Sequence, residues 1–542
     1  MQRSRPEAVE LELFTQRFAA VARDMGGQLR RTAVSTNVKE RLDFSCALLD
    51  RQGVLVANAP HIPVHLGALG LCVRRLLQTI SLGPGDAVVT NHPAYGGSHL
   101  PDVTLVSGVF DDEGNLLGYV ANRAHHAEIG GTRPGSMPPD ATRLIEEGVV
   151  IPPTYLVRGG EPRWSEIERL LTGGPYPTRA VRENLADLEA ALAANRCGEQ
   201  ALRALAARHG REALHWYMAA LADRAEARMR EALARLPPGT YSAVERLDDG
   251  SPIAVKIEVA GDRATIDFAG TGAVHPGNLN APPAVVRSAV LYVLRLLVAE
   301  PMPLNEGLLR PIEIRMPPGC LLDPPFSIDA PDPESSENSP AVVGGNVETS
   351  QRLVDALLHA LGLVAGGQGT MNNTLFGNPT FGYYETVCGG AGACFGHPGA
   401  SAVHTHMTNT RITDPEILEH RYPVRLHRFA IRRGSGGAGR FRGGDGAVRE
   451  IEFLTPVSLS LLTQHRVEAP YGLEGGAPGK RGRQTLIRTN GEREALPPSA
   501  AREVGPGDRL LLETPGGGGF GSVEQGEAAA FDTRVKVQRN LP

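Results

Sequence analysis

Asn91-His92-Pro93-Ala94-Tyr95-Gly96-Gly97-Ser98-His99-Leu100-Pro101-Asp102 runs straight into an apolar segment, and Arg123-Ala124-His125-His126-Ala127-Glu128-Ile129-Gly130-Gly131 follows at its far end. The intervening Val103–Asn122 reads as two strands joined at Asp112–Asn115. A hairpin of that length brings its ends side by side, so both histidine clusters fall at one edge of a sheet. Imidazole nitrogen and carboxylate oxygen together suit Zn, Mn or Fe. A catalytic metal site typically uses three protein ligands and leaves one position open for water. His99, Asp102 and one histidine of the His125-His126 pair supply such a set. Spacing alone leaves a second reading equally open, because H-x-x-D pairs are common and loop histidines more often hydrogen-bond than ligate. His61-Ile62-Pro63-Val64-His65 either adds nitrogen ligands or is a loop packed by Pro63. Asp43, in Glu40-Arg41-Leu42-Asp43-Phe44-Ser45, either caps a turn or adds a ligand.

Around this core the chain changes character several times. Leu11, Phe14, Phe18, Val21 and Met25 recur at helical spacing, with Pro6 near the first turn. Asp43 to Pro153 holds short strands and turns, including Ala87–Thr90 and Val103–Phe110. From Arg179 to Leu236 the composition turns to Ala, Leu, Glu and Arg. Leu185, Leu188 and Leu192 make one helical face, Leu214, Met218, Leu221 and Ala225 another, and Gly210 separates them. That predicts a helical hairpin, ended by Pro237-Pro238-Gly239. Ala254–Val259 and Ala264–Phe268 flank Gly261-Asp262 as a β-hairpin. Helices are expected at Ala284–Val298 and Val347–Leu361. Beyond Arg425 strands dominate: Val448–Phe453, Ser458–Thr463, Leu486–Arg488 and Arg509–Glu513. The expected class is α+β: a multi-domain mixed α/β chain with a helical hairpin insert and a β-rich C-terminal third. Its expected divisions are 1–178, the metal-site region; 179–240, the helical hairpin; 241–330, an α/β middle region; 331–424, a glycine-rich region facing the active site; and 425–542, the β-rich region.

Composition excludes several function classes. A formal net charge of -5 with no Lys/Arg stripe argues against nucleic acid as a partner. The six cysteines form no C-x-x-C pair, which fits free thiols in a reducing cytoplasm. The N-terminal stretch lacks an uninterrupted apolar core of the secretory type, and the longest apolar run, near Ala284, is broken by Arg287 and Arg295. No membrane span is expected.

Glycine-rich strings need separate treatment. Gly434-Ser435-Gly436-Gly437-Ala438-Gly439 matches G-x-G-x-x-G, but Arg440-Phe441-Arg442-Gly443-Gly444-Asp445-Gly446 follows where a dinucleotide site needs a helix. Turns between strands are the better reading. Gly479-Lys480-Arg481 has no upstream glycine at P-loop spacing. Thr514-Pro515-Gly516-Gly517-Gly518-Gly519-Phe520-Gly521 is a closing loop, a subunit contact or a tight turn. No G-x-S-x-G elbow occurs. Cys388, before Gly389-Gly390, reads as a buried thiol more readily than as a nucleophile.

Taken together, these strings resemble the hydantoinase B / 5-oxoprolinase family over nearly the whole chain. The resemblance is carried by Lys39–Cys46, Ala59–Gly67, the Gly96–Asp102 and His125–Gly131 clusters and Pro134–Pro139. It continues through Gly345-Asn346-Val347-Glu348-Thr349-Ser350-Gln351-Arg352, Tyr384-Glu385-Thr386, His404-Thr405-His406-Met407-Thr408-Asn409-Thr410-Arg411 and Arg442–Gly446. It implies an ATP-dependent cyclic amidase in which a separate hydantoinase A-like ATP-binding subunit consumes ATP and phosphorylates the ring amide. The chain starts directly at the B-like region, which suits a two-gene enzyme and a hetero-oligomer. The implied ligands of a divalent transition metal (Mn, Zn or Fe) are His99, Asp102 and His125, with His126 as an alternate and Asp43 as an addition. Glu128 and His126 become candidate catalytic groups for proton transfer or orientation. His404, His406 and Asn409 become candidate contacts to a small lactam. The implied reaction opens 5-oxoproline to glutamate. An N-methylhydantoinase-type ring, a carboxylase component joining bicarbonate to a ketone, and a non-catalytic scaffold for the ATP-binding partner are the alternatives. Glu128 stands where many members have aspartate, and Asn91-His92-Pro93-Ala94-Tyr95 stands where many have N-D-P-Y.

Overall fold

Seven strands form the sheet that carries the histidine clusters, in a computed structural model describing residues 8–59, 62–298, 300, 302–326 and 339–523. They are β1 (Phe44–Leu49), β2 (Leu55–Ala59), β3 (Ala87–Thr90), β4 (Asp102–Phe110), β5 (Leu116–His125), β6 (Thr154–Arg158) and β7 (Glu161–Pro162). The order is β2-β1-β5-β4-β3-β6-β7, antiparallel throughout. The expected hairpin is its centre. Asp111 shapes the turn by accepting from the Glu113 and Asn115 N–H groups at 3.0 and 2.8 Å, and Gly114 takes φ +81°. The register sets Asp102 directly opposite His125. His61 lies outside the described residues.

Both faces of this sheet are covered, which is why β4 and β5 read as nearly continuous apolar runs. Helices Ala8–Thr32 and Val181–His209 cover one face, where Phe18, Met25, Leu188 and Leu192 meet Leu105 and Val120. Helix Ala68–Leu76 covers the other, where Leu69 and Val73 meet Val106 and Ala121. The helical hairpin is present: Val181–His209 and Arg211–Ala234 meet at Gly210, whose φ of +85° suits glycine.

A four-stranded sheet follows, containing the expected hairpin as Pro252–Ala260 and Arg263–Asp267. It packs on helices Pro283–Leu297 and Ser350–Ala360 through Ile257, Ile266, Val290, Leu294 and Leu357. The helix expected from Val347 opens instead with a π-helical turn, Gly345–Thr349, before becoming regular at Ser350. In the C-terminal third, the hairpin Asn373–Asn378/Phe381–Glu385 joins Val457–Leu462 and Ser499–Val504 in one sheet. A five-stranded sheet runs in the order Val424–Arg432, Gly446–Phe453, Arg509–Glu513, Arg483–Ile487, Arg493–Ala495.

The glycine strings stack backbone on backbone. Gly437 N donates to the Gly517 carbonyl at 2.8 Å, Gly390 N to Pro515 at 3.0 Å and Gly518 N to Gly366 at 2.8 Å. A Cβ built on Gly517 would sit 1.9 Å from the Ala391 carbonyl oxygen. The Gly434–Gly439 string leads into the strand Gly446–Phe453, in keeping with its reading as turns. Among the described residues, no helix is long and apolar enough to cross a membrane.

Candidate metal centre

The loop before β4 is built to deliver His99 and Asp102. Asn91 ties its two ends: its Nδ2 donates to the carbonyls of Leu100 and Val149, each at 2.9 Å, and its Oδ1 accepts from Ile151 N at 2.7 Å. His92 caps the short turn Pro93–Tyr95, its Nδ1 accepting from Ala94 N at 3.1 Å, and burial brings its pKa down to about 4. Only glycine fits at position 96: φ is +84° there and a Cβ would meet the Cys72 backbone at 2.7 Å.

His99, Asp102 and His125 converge with one ligand atom each, all within 4.8 Å of one another and all buried. Both ring nitrogens of His99, Oδ1 of Asp102 and Nε2 of His125 have no hydrogen-bond partner. Buried polar atoms are rarely left so. The donor set, two imidazoles and one carboxylate, fits a divalent transition metal.

The surroundings aim these atoms. Asp102 Oδ2 accepts from Ser98 Oγ at 2.6 Å and lies 3.2 Å from His65 Nε2 and 3.3 Å from His99 Nε2, which leaves Oδ1 facing the centre. His65 is held in turn by Ser45 Oγ at 3.1 Å from its Nδ1. Burial acts to raise the Asp102 pKa, but His99 and His65 hold the carboxyl well below the usual range. Burial, then the neighbouring His99, push His125 well below an ordinary imidazole, so the ring is neutral, as a ligand must be. Its Nδ1 meets Asn37 Nδ2 at 3.0 Å, and its face stacks on Tyr384 at 4.8 Å. Ligation through Nε2 places the proton on Nδ1. Asn37 would then have to present its Oδ1 to that proton in place of Nδ2, releasing the 3.3 Å bond from Arg41.

The remaining sequence candidates take other places. Asp43 lies beside the trio but outside it: its carbonyl accepts from His125 N at 3.0 Å, and burial raises its carboxyl to about 6 against the nearby Arg41. His126 Nδ1 accepts from Asn184 Nδ2 at 2.9 Å, and burial lowers its pKa. Glu128 receives N–H bonds from Gly130 at 2.7 Å and Gly135 at 2.8 Å and pairs with Arg179 at 2.9 Å. Burial still raises its pKa. His404 lines a cleft of about 350 Å³ with Cys388, Thr410 and Phe429. Its pKa is lowered by burial to about 4, and burial raises the Cys388 thiol to about 11. His406 Nε2 lies 3.1 Å from Asp355 Oδ1, and Asn409 is exposed. Asn37, Ser98 and Tyr384 escape sequence reasoning. Ser98 adjoins the H-x-x-D string and Tyr384 sits in the family string Tyr384-Glu385-Thr386 without a role, but nothing local marks Asn37.

Known proteins match the chain along nearly its whole length. The family profile described as Hydantoinase B/oxoprolinase matches residues 7–523. The 5-oxoprolinase 1 of Arabidopsis thaliana is 46% identical over 95% of this chain and 42% of its own length. The B component of a putative D-/L-hydantoinase from a Pseudomonas species is 29% identical over 93% of this chain and 88% of its own. The crystal structure of an ATP-dependent caprolactamase from Pseudomonas jessenii superposes with a TM-score of 0.85 at 27% identity, covering 99% of this chain and 95% of that one. The chain spans only 40–42% of the length of the first curated relatives it matches.

Proposed function

The chain belongs to the hydantoinase B/oxoprolinase family, and from that premise we propose that it carries the metal-dependent ring-opening step of an ATP-dependent cyclic amidase acting on 5-oxo-L-proline. The observation that carries the reading is the convergence of His99, Asp102 and His125 with their facing atoms buried and unpartnered. The 46% identity to a 5-oxoprolinase supports the substrate. The Pseudomonas hydantoinase relative, named as one lettered component of its enzyme, supports a separate, hydantoinase A-like ATP-binding partner and hence a hetero-oligomer.

An unactivated lactam is a poor electrophile, and a five-membered ring closes again readily. Phosphorylation of the amide oxygen on the partner removes both obstacles, and 5-oxo-L-proline, ATP and two waters then give L-glutamate, ADP and phosphate. His99, Asp102 and His125 would hold a divalent transition metal (Mn, Zn or Fe), which would supply a bound water with its pKa lowered towards ~7. Ser98 and His65 keep Asp102 Oδ1 turned to the centre, and Asn37 and Tyr384 fix the plane of His125. Asn184 occupies Nδ1 of His126, so that ring carries its proton on Nε2, and proton transfer is assigned to it. Glu128 is assigned the orienting role, since its oxygens already hold Gly130, Gly135 and Arg179. Asp43 supports His125 from the neighbouring strand. His404, His406 and Asn409 are assigned to the substrate side.

Metal analysis of the purified chain beside His99→Ala and Asp102→Ala variants tests the assignment. About one transition metal per native chain, lost in the variants, is the expected result. With an A-like partner added, ATP-dependent glutamate formation from 5-oxo-L-proline should depend on the same residues. A native chain that holds no metal and takes none up refutes the hydrolytic role and leaves a scaffold for the ATP-binding partner.

A further inference from the structure

Behind the face of His125 a line of buried polar side chains runs into a different part of the chain. The Tyr384 ring stacks on the His125 ring with centroids 4.8 Å apart and planes 18° from parallel. In the hairpin Asn373–Asn378/Phe381–Glu385, Tyr384 stands opposite Leu375, which makes Asn373 its diagonal neighbour on the same face. Tyr384 OH donates to Asn373 Oδ1 at 2.9 Å, and Asn373 Nδ2 donates to Glu348 Oε1 at 2.6 Å. Glu348 lies in the π-helical turn Gly345–Thr349, and Tyr384, Asn373 and Glu348 are all buried.

The line has one direction. Asn373 Nδ2 faces two acceptors, Glu348 Oε1 and the Leu462 carbonyl at 2.8 Å, so the amide cannot flip and its Oδ1 must face the phenol. The carboxylate is pinned in turn, since Glu348 Oε1 also accepts from Met371 N at 3.0 Å. Arg41 holds the other end of Tyr384. Its guanidinium donates to the Tyr384 carbonyl at 2.8 Å, and its Cζ lies 4.7 Å from the ring centroid. The ring is thus gripped at its backbone, its face and its hydroxyl.

Stability alone does not call for this arrangement. Burying a carboxylate and an amide costs free energy that apolar side chains of similar size at those positions would not. What the line adds is a fixed ring plane against His125, whose Nε2 has no hydrogen-bond partner. Groups that orient a metal ligand from behind matter to the ion, and their loss typically costs about 10–100-fold in affinity. A π-helical turn is itself a recurrent mark of functional sites. We propose that Glu348 and Asn373 are positioning residues of the metal centre: they lock Tyr384, whose ring holds the plane of His125 and keeps Nε2 turned to His99 and Asp102. The inference rests on the metal-dependent reading above. It extends the centre to the turn Gly345–Thr349 and the strand Asn373–Asn378, both outside the seven-stranded sheet.

Titration of the full chain with cobalt(II) against a chelator tests it, reading affinity and the visible absorption of the bound ion, beside the melting temperature of the metal-free chain. Tyr384→Phe keeps the ring and removes its anchor; Glu348→Ala removes the far end of the line. Each should weaken cobalt binding by ~10-fold and alter the absorption spectrum. The double variant should bind no more weakly than either single one, because both cut the same line. Glu348→Gln keeps the acceptor and should bind within ~3-fold of the native chain. Should Glu348→Ala fail to fold, Tyr384→Phe against Glu348→Gln carries the test. A merely structural role would lower the metal-free melting temperature without moving affinity or spectrum, and that result overturns the proposal. So do losses that add in the double variant. Native binding with unaltered affinity in Tyr384→Phe sinks the positioning line alone, whereas a native chain that takes up no cobalt sinks the metal-dependent reading together with it.

Discussion

Removing one charge from the metal centre should abolish a measurable thermal shift. In Asp102→Asn the side chain keeps its shape but loses the carboxylate, whose Oδ1 faces the centre unpartnered. In the native chain His99, Asp102 and His125 each present one buried ligand atom. Leaving a buried polar group unsatisfied costs about 1–3 kcal/mol, so filling three recovers roughly 3–9 kcal/mol before the ion's own dehydration is counted. At a free metal concentration 100 times Kd, linkage limits the visible gain to about 2.7 kcal/mol. For 542 residues at ~2.1 cal/mol/K each, the unfolding entropy is ~1.1 kcal/mol/K, and the shift is ~2–3 °C if the chain unfolds as one unit. If the seven-stranded sheet and its helices unfold separately, as roughly 200 residues, the same energy gives ~6–7 °C. Scanning calorimetry with saturating Mn or Zn against a chelator reads the difference directly. The native chain should rise by ~2–7 °C and Asp102→Asn by less than ~1 °C. A native chain that does not move, or a variant that moves equally, would refute the reasoning.

Glu147 is buried, its Oε1 accepting from Val342 N and Val343 N, and burial raises its pKa from 4.5 to about 8. The folded state therefore binds more protons than the unfolded one between those values, and stability falls as pH rises from 4.5 to about 8. Glu147→Gln should flatten that slope and gain ~2–4 kcal/mol at pH 7.5 in urea melts; an unchanged slope would contradict it. Glu385 grips Arg449 through both oxygens at 2.6 and 2.9 Å, in full burial. Glu385→Ala strands that guanidinium, and a loss of ~3–5 kcal/mol is expected by denaturant titration, against less than ~1 if the pair is incidental. Gly517→Ala should prevent soluble folding, because its Cβ meets backbone at 1.9 Å, whereas Gly173→Ala meets nothing within 4 Å and should be neutral. Comparable solubility of the two variants would argue against the close glycine packing.

Much of the site's scaffold was legible because it is local. The β4–β5 hairpin announces itself through two apolar runs and an Asp112–Asn115 turn, and its register alone brings Asp102 to His125. The helical hairpin likewise follows from leucine spacing and Gly210. What stayed hidden depends on contacts remote in sequence. Tyr384 reaches His125 from far along the chain, and the family string Tyr384-Glu385-Thr386 marks the residue without announcing that contact. The hairpin Asn373–Glu385 is masked by asparagine, glycine and threonine, which interrupt the apolar alternation and become a strand pair because Val457–Leu462 supplies an edge. The π-helical turn is invisible to a periodicity argument, since Gly345 is pressed against the Asn280 backbone by tertiary packing.

The stacked glycines bear on how the chain is made. Gly390 N, Ala393 N and Gly437 N find their acceptors on Pro515, Gly518 and Gly517, residues that leave the ribosome long after their donors. Domains fold as they emerge, N-terminal parts first. The histidine hairpin, whose contacts are short in sequence, can close early. The glycine layer cannot, and until residues 514–521 arrive its backbone amides stand as an open edge of the kind that recruits other strands. Aggregation during synthesis, and the need for a chaperone to shield the nascent chain, should therefore concentrate on the 388–444 region and end when the last glycines slot in.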